Sequence, residues 1–423
     1  MVKKAWWLLS VLLFLSSCNP SDEEPTPIPD KDSVTILAYL IASGNGLDKC
    51  LSFNIVTMYD GLALMNKPAE LIIYWDGNTR IAGKNHLILK YETDGRGNIN
   101  GKPALNIGTS ENIILQEAKV LKEYESQVST DKKIMKQVLQ EMKSYVSTDK
   151  IGLIIGSHGS AWLNTIYTSG RAIGYDEKQS NSILLPDLVE ALESVNQRFE
   201  FILFDACYMG TIEVCHEFQF VTDYLISSVM EVPAYGFPYD MFMGNLYDGN
   251  VAGYEKVCKS FIEFYQEKDE KYKKNQEDGE SCWGTVSLID CTEISSFTKL
   301  LKDELVSHKQ TLSSYNSSML QEYGRSSGYG IAYDLEQFIK NLNGGIVPKS
   351  FETQLKKTIL YKDALYNASY RKNFYKYDVD ATNYCGLGIY IPNEDYPQWN
   401  TYFKTLDWYT ASGWNEVSFS WKF

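Results

Sequence analysis

A chain of 423 residues with a net charge of −14 and 44% apolar residues exceeds one typical core and is too acidic to suit nucleic acid. One large domain with a smaller C-terminal region is expected, its surface soluble and attractive to basic substrates. With only 4 histidines and 8 cysteines, few side chains are available to build a thiolate–imidazole pair.

Lys3 and Lys4 form a basic start, and Ala5 through Leu15 an apolar stretch too short to span a bilayer, which predicts a signal peptide over residues 1–17. Leu15-Ser16-Ser17-Cys18 then resembles the lipobox of bacterial lipoproteins, in which cleavage before the cysteine leaves Cys18 as the lipidated first residue. Residues 18–32 are rich in proline and acid and suit an extended tether. Asp22-Glu23-Glu24 resembles acidic surface-export signals of some Gram-negative lipoproteins. The expectation is an exported lipoprotein held to the outer membrane through its lipid, on the periplasmic or cell-surface face.

Further along, Ile134, Val138 and Met142 have helical spacing within 132–142. Ile151-Gly152-Leu153-Ile154-Ile155 and Phe201-Ile202-Leu203-Phe204 are continuous apolar runs, as in strands buried on both faces of a parallel sheet. Between them Leu188, Leu192 and Val195 share one helical stripe, and Pro186 with Asp187 fits a first turn. Strand, helix, strand is a βαβ crossover, nearly always right-handed. The region 224–228 reads as the next strand, and the charge-rich 266–280 as a solvated helix end or loop. Residues 283–290 read as a strand, 334–342 and 351–368 as helices, and 387–391 as a late strand.

Ligands of such sheets bind outside the carboxyl ends of the strands. His158 and Cys207 each stand just past such an end, so topology brings them together. A thiol near its ordinary pKa of ~8.5 is mostly protonated at neutral pH, and a nearby imidazole or helix N-terminus raises its thiolate fraction. The segment from Tyr208 to Val214 reads as a helix start, which would add the dipole. The Gly159 and Cys207 N–H groups could form an oxyanion hole. A core cysteine and a solvated loop histidine are the plain alternatives for each residue alone. The pair in matching contexts favours chemistry. Cys215-His216 is the local rival, but mid-helix neighbours diverge.

These strand-HG and strand-DAC motifs resemble those of the clostripain family of cysteine peptidases, related by fold to caspases, legumains and gingipains. Thr35–Leu40 and Glu70–Gly77 are similar to the family's first two strands, and GFPYD at 236–240, CGLGIYIP at 385–392 and DWYTASGW at 407–414 to later family segments. The resemblance covers residue 33 to the end. It implies an α/β fold, a caspase-like α/β/α sandwich around a mainly parallel sheet. Residues 33–300 would form the peptidase domain and 301–423 the smaller C-terminal region packed on it.

The resemblance also assigns roles. His158 matches the catalytic histidine, base and then acid, and Cys207 the nucleophile that forms a thioester. Asp205 matches an aspartate associated in relatives with a pocket for a basic side chain, which a carboxylate holds through charge-assisted hydrogen bonds. A strand-end aspartate satisfied by backbone donors is the alternative. Glu231, the one acid in the loop after the next strand, is the candidate second pocket acid, with a solvent-facing glutamate the alternative. Relatives are activated by cleavage between the histidine and cysteine strands. The long segment 163–182 offers Arg171 and Lys178 as processing sites or is a plain surface loop.

No cofactor is implied; the resemblance admits calcium without any sequence feature in its favour. No cysteine spacing resembles a zinc site. Apart from Cys18 and Cys207, six cysteines could make three disulfides in an oxidising compartment. The expected function is a monomeric cell-envelope endopeptidase cleaving proteins or peptides after arginine or lysine. A binding lipoprotein that kept the fold without catalysis, and a thiol hydrolase of unrelated substrate, are the other classes.

Overall fold

The computed structural model describes residues 29–163, 173–174, 182–275, 282–324, 331–366 and 379–420. The signal peptide, Cys18, Arg171 and Lys178 lie outside the described residues.

The strands are β1 (Val34–Ile41), β2 (Ala69–Ile81), β3 (Lys84–Thr93), β4 (Asn98–Ile99), β5 (Lys102–Pro103), β6 (Lys119–Glu123), β7 (Lys150–Gly156), β8 (Phe199–Asp205), β9 (Thr222–Ser227), β10 (Thr285–Asp290), β11 (Tyr333–Asp334), β12 (Ile359–Ala364) and β13 (Gly388–Ile389). The main sheet runs β12-β10-β9-β8-β7-β1-β2-β3-β4-β5, with β6 on β3. Its five central strands, β9-β8-β7-β1-β2, are parallel, and the outer pairings are antiparallel. The unbroken apolar runs of β1, β7 and β8 follow from this position, because helices cover both faces and leave no side to water.

Helices Asp48–Ala63, Tyr239–Leu246 and Val251–Asn275 pack together in one layer, and Lys132–Ser144, Leu185–Glu193, Ile212–Phe218 and Ile294–Ser307 in another. The Lys132–Ser144 helix starts where Asp131 accepts the N–H groups of Lys133 and Ile134, and it buries Met135, Val138, Leu139 and Met142. Leu188 and Leu192 are buried as their stripe predicts, with Pro186 in the first turn.

Three expectations change. The span 351–368 is helical only over Lys349–Thr358; the chain then turns into β12, which pairs antiparallel with β10 and closes one edge of the sheet. The helix after Cys207 begins at Ile212 and not beside the thiol, so no helix dipole acts directly on Cys207. Cys50, Cys215, Cys258, Cys291 and Cys385 are free thiols, which rules out the three-disulfide framework. Among the described residues no helix is long and apolar enough to cross a membrane.

Candidate active site

The register of β7 and β8 sets the centre. Gly156 lies opposite Asp205, and the Ser157 N–H donates to the Asp205 carbonyl at 3.2 Å. His158 and Cys207 each follow two residues later, on adjacent parallel strands ~4.8 Å apart. Both side chains are half-buried. The turn that carries Cys207 is held in a costly conformation: Tyr208 has φ 62, in the left-handed region that penalises a residue with a Cβ by roughly 1–2 kcal/mol. Hydrogen bonds from the Tyr208 N–H to the Met230 carbonyl at 3.0 Å and from the Gly210 N–H to Ser228 at 2.7 Å enforce it. The Cys207 thiol points to the Val232 carbonyl at 3.8 Å.

Gly159 has a steric reason to be glycine. A Cβ there would lie 2.4 Å from the Cys207 carbonyl oxygen and 3.0 Å from its nitrogen. The histidine loop therefore leans backbone to backbone on the cysteine turn, which only a glycine permits.

A residue that sequence reasoning missed orients the histidine. Nε2 of His158 lies 2.9 Å from the main-chain carbonyl of Asn45, at the carboxyl end of β1. A carbonyl only accepts, so Nε2 carries the proton and Nδ1 is the ring's basic nitrogen. Asn45 is itself fixed, since its fully buried side chain donates to the Ile41 carbonyl at 2.9 Å and accepts from the Leu47 N–H at 3.0 Å. Its position past a parallel strand end was the only signal available, because a main-chain acceptor leaves no trace in residue type.

Asp205 is buried at 6% exposure and caged. Its Oδ2 accepts from Asn54 Nδ2 at 3.0 Å, the Tyr239 hydroxyl at 3.0 Å and the Phe237 N–H at 3.2 Å. Gly236, at φ 74, allows the close pass, since a Cβ there would sit 2.5 Å from Oδ2. Among the described residues no donor reaches Oδ1. Burial pushes this carboxyl up to about 6, against the lowering pull of Phe237 and Tyr239. Sequence reasoning misses Asn54, which lies far away on the Asp48–Ala63 helix, and the role of Tyr239 within GFPYD. Glu231 is also buried rather than solvent-facing, and its carbonyl accepts from Trp283 Nε1 at 3.0 Å.

The rival pair is structural. Cys215 is fully buried, and the His216 ring reaches Thr298 Oγ1 at 3.3 Å and packs 5.4 Å from Trp408. Among the described residues no group of three or more His, Cys, Asp or Glu side chains could hold a metal ion. Chemically the centre offers a thiol, an imidazole of fixed tautomer and a buried carboxylate.

The clostripain family model, peptidase C11, matches residues 39–421. An inactive zymogen C11 protease from Parabacteroides distasonis is 25% identical, with 91% of this chain and 99% of that one covered at a TM-score of 0.70. A secreted C11 cysteine protease from Bacteroides thetaiotaomicron, in complex with an irreversible peptide inhibitor, is 25% identical over 91% of this chain and 100% of that one, with a TM-score of 0.69. The curated proteins contain no match. The layered, mostly parallel sheet and the span of the match agree: this chain belongs to the clostripain family and is a cysteine peptidase of caspase-like fold.

Proposed function

We propose that the chain is an endopeptidase that cleaves after basic residues, arginine or lysine, through a dyad of Cys207 and His158. The observation that carries this reading is the paired register of β7 and β8, which delivers both residues to one edge, with Asn45 fixing the imidazole tautomer. Cys207 Sγ attacks the carbonyl carbon of the residue before the scissile bond, and its proton passes to His158 Nδ1. The oxyanion is met by the Gly159 and Cys207 N–H groups. His158 then protonates the leaving amine, the C–N bond breaks, and a thioester to Cys207 remains. Water, deprotonated by His158, adds to the thioester and releases the carboxylate product and the free thiol.

Oδ1 of Asp205 is the oxygen left for a guanidinium or ammonium group, with Glu231 the second acid of the pocket. A carboxyl titrating near 6 is mostly ionised at neutral pH, as a cation pocket requires. Self-cleavage after Arg171 or Lys178 would convert a precursor to the active form, in keeping with the zymogen state of a similar protease. Export and lipidation at Cys18 would place the enzyme at the outer membrane as a monomer acting on protein or peptide substrates, and a similar protease is secreted.

The decisive assay compares wild type with Cys207→Ala on fluorogenic peptides ending in arginine, lysine or a neutral residue. Turnover of the basic reporters by wild type alone is expected. Equal turnover after neutral residues would remove the specificity, and equal turnover by Cys207→Ala would remove the dyad. Processing of both chains to the same fragments on a denaturing gel would rule out autolysis.

A further inference from the structure

Beyond the cysteine–histidine centre, the carboxyl edge of the sheet holds a cavity of about 580 Å³ that the chemistry above leaves unused. Its walls include Ser43, Asn78, Asn85, His86, Glu125 and Gln127. Along the sheet the order is β8, β7, β1, β2, β3, so Cys207, His158, Asn45 and this cavity follow one another in a single direction. Ser43 lies two residues before Asn45, whose carbonyl holds His158.

Chemistry fixes which end of a substrate points that way. His158 protonates the leaving amine, so residues after the scissile bond depart on the histidine side of Cys207. From β7 to β2 is two strand spacings, ~10 Å, which an extended peptide crosses in about three residues. The cavity is thus within reach of the second and third residues beyond the cleaved bond.

Its walls are built rather than loose. Asn85 Nδ2 donates to the carbonyls of Gly77 at 2.8 Å and Asn78 at 3.0 Å, closing the β2–β3 hairpin. Asp48 accepts from the Asn78 N–H, from the Thr79 N–H at 2.9 Å and from its hydroxyl at 2.6 Å. Gln127 Nε2 donates to the Tyr74 hydroxyl at 2.9 Å, and His86 Nδ1 sits 3.0 Å from the buried Asp76 carboxylate. The donors of Asn85 are spent in this way, which leaves its side-chain oxygen as an acceptor. Lys84, also in the lining, is ion-paired with Glu123 at 3.1 Å. Glu125 makes no ion pair among the described residues.

The geometry points to a subsite here for the leaving-group side of the substrate, selective for hydrogen-bond-donating side chains, above all lysine or arginine, two or three residues after the cleaved bond. This rests on the peptidase reading above. A surplus of acceptors and one uncompensated carboxylate favour a cation and disfavour an acidic or aliphatic residue, which would leave the polar walls unpaired.

The test uses internally quenched peptides with arginine before the scissile bond and lysine, leucine or glutamate at the second and third positions after it. An arginyl aminocoumarin reporter, which lacks those positions, is run beside them. Wild type is expected to prefer the lysine peptides by five-fold or more in kcat/KM. Glu125→Lys, an exposed substitution, should abolish or invert that preference and leave the coumarin reporter unchanged. Wild-type indifference to these positions would overturn the subsite, as would a Glu125→Lys variant that slows both substrates equally. Failure of the arginine preference would appear instead as equal cleavage after neutral residues, and the comparison of lysine, leucine and glutamate reads the subsite in that case too.

Discussion

Glu213 offers a quantitative test of how burial shapes this protein. It lies on the Ile212–Phe218 helix behind Cys207, fully buried, and its Oε1 accepts the Tyr390 N–H at 2.8 Å. Burial pushes its carboxyl from the ordinary 4.5 up to about 8, against the pull of that N–H. Cys215 on the same helix and Tyr390 on the facing segment are raised chiefly by burial, with the Glu213 charge adding to both. A tenfold change in proton affinity is worth ~1.4 kcal/mol, so the difference is of order 5 kcal/mol. The folded acid binds its proton more tightly than the unfolded one. The contribution is therefore whole below pH 4.5, declines as pH rises, and is gone above about 8. Glu213→Gln keeps an acceptor for Tyr390 and removes the titration. Urea melts at pH 5, 7 and 9 should show the variant gaining on wild type by several kcal/mol between the first and the last. Asp205 and Glu217, raised to about 6 and about 7, titrate in both chains, so the difference isolates Glu213. Parallel stability curves across this range would refute the reasoning.

Two further substitutions test the site. Asp205→Asn should lower kcat/KM for arginyl reporters by roughly 30-fold or more, the loss of a desolvated charge pair being worth at least ~2 kcal/mol. Wild-type KM for the same reporter should rise as pH falls through about 6, where the carboxyl protonates, and stay level in the variant; initial rates from pH 5 to 8 check both. Asn45→Ala removes the two side-chain hydrogen bonds that fix the carbonyl opposite His158, so kcat should fall about ten-fold with KM little changed, as expected for a misplaced base.

The parts of the fold legible in the sequence are those where one physical pressure acts alone. β7 and β8 are buried on both faces, so their residues are apolar without alternation, and the polar residues that follow mark the strand ends. The Lys349–Thr358 helix and β12 could not be separated, because an edge strand with half-buried side chains carries no clear period of two. The delayed helix after Cys207 was hidden for another reason. Its start is set by the hydrogen bonds of Tyr208 and Gly210 to Ser228–Met230, partners that local propensity does not contain. Asn45 was invisible because its main-chain oxygen does the work. Free buried cysteines look the same in sequence as paired ones.

The loops that carry His158 and Cys207 lean on the same late segment of the chain. The Gly388 N–H donates to the Gly210 carbonyl at 3.0 Å, three residues past Cys207, and Gly388 also bridges to Thr211. From the other loop, Trp162, four residues past His158, packs against Tyr390 at 4.8 Å and Phe403 at 5.1 Å. Tyr390 joins the two, with its N–H on Glu213 and its hydroxyl donating to Asn400 Oδ1 at 2.6 Å. β12, also from beyond residue 300, extends the sheet itself. The spacing of thiol and imidazole is therefore set twice, by the β7–β8 register below and by residues 388–403 behind. A cut near residue 300 would leave the register and remove the second constraint, so the cysteine loop would lose the Gly388–Gly210 hydrogen bond and the histidine loop the packing of Trp162 on Tyr390 and Phe403.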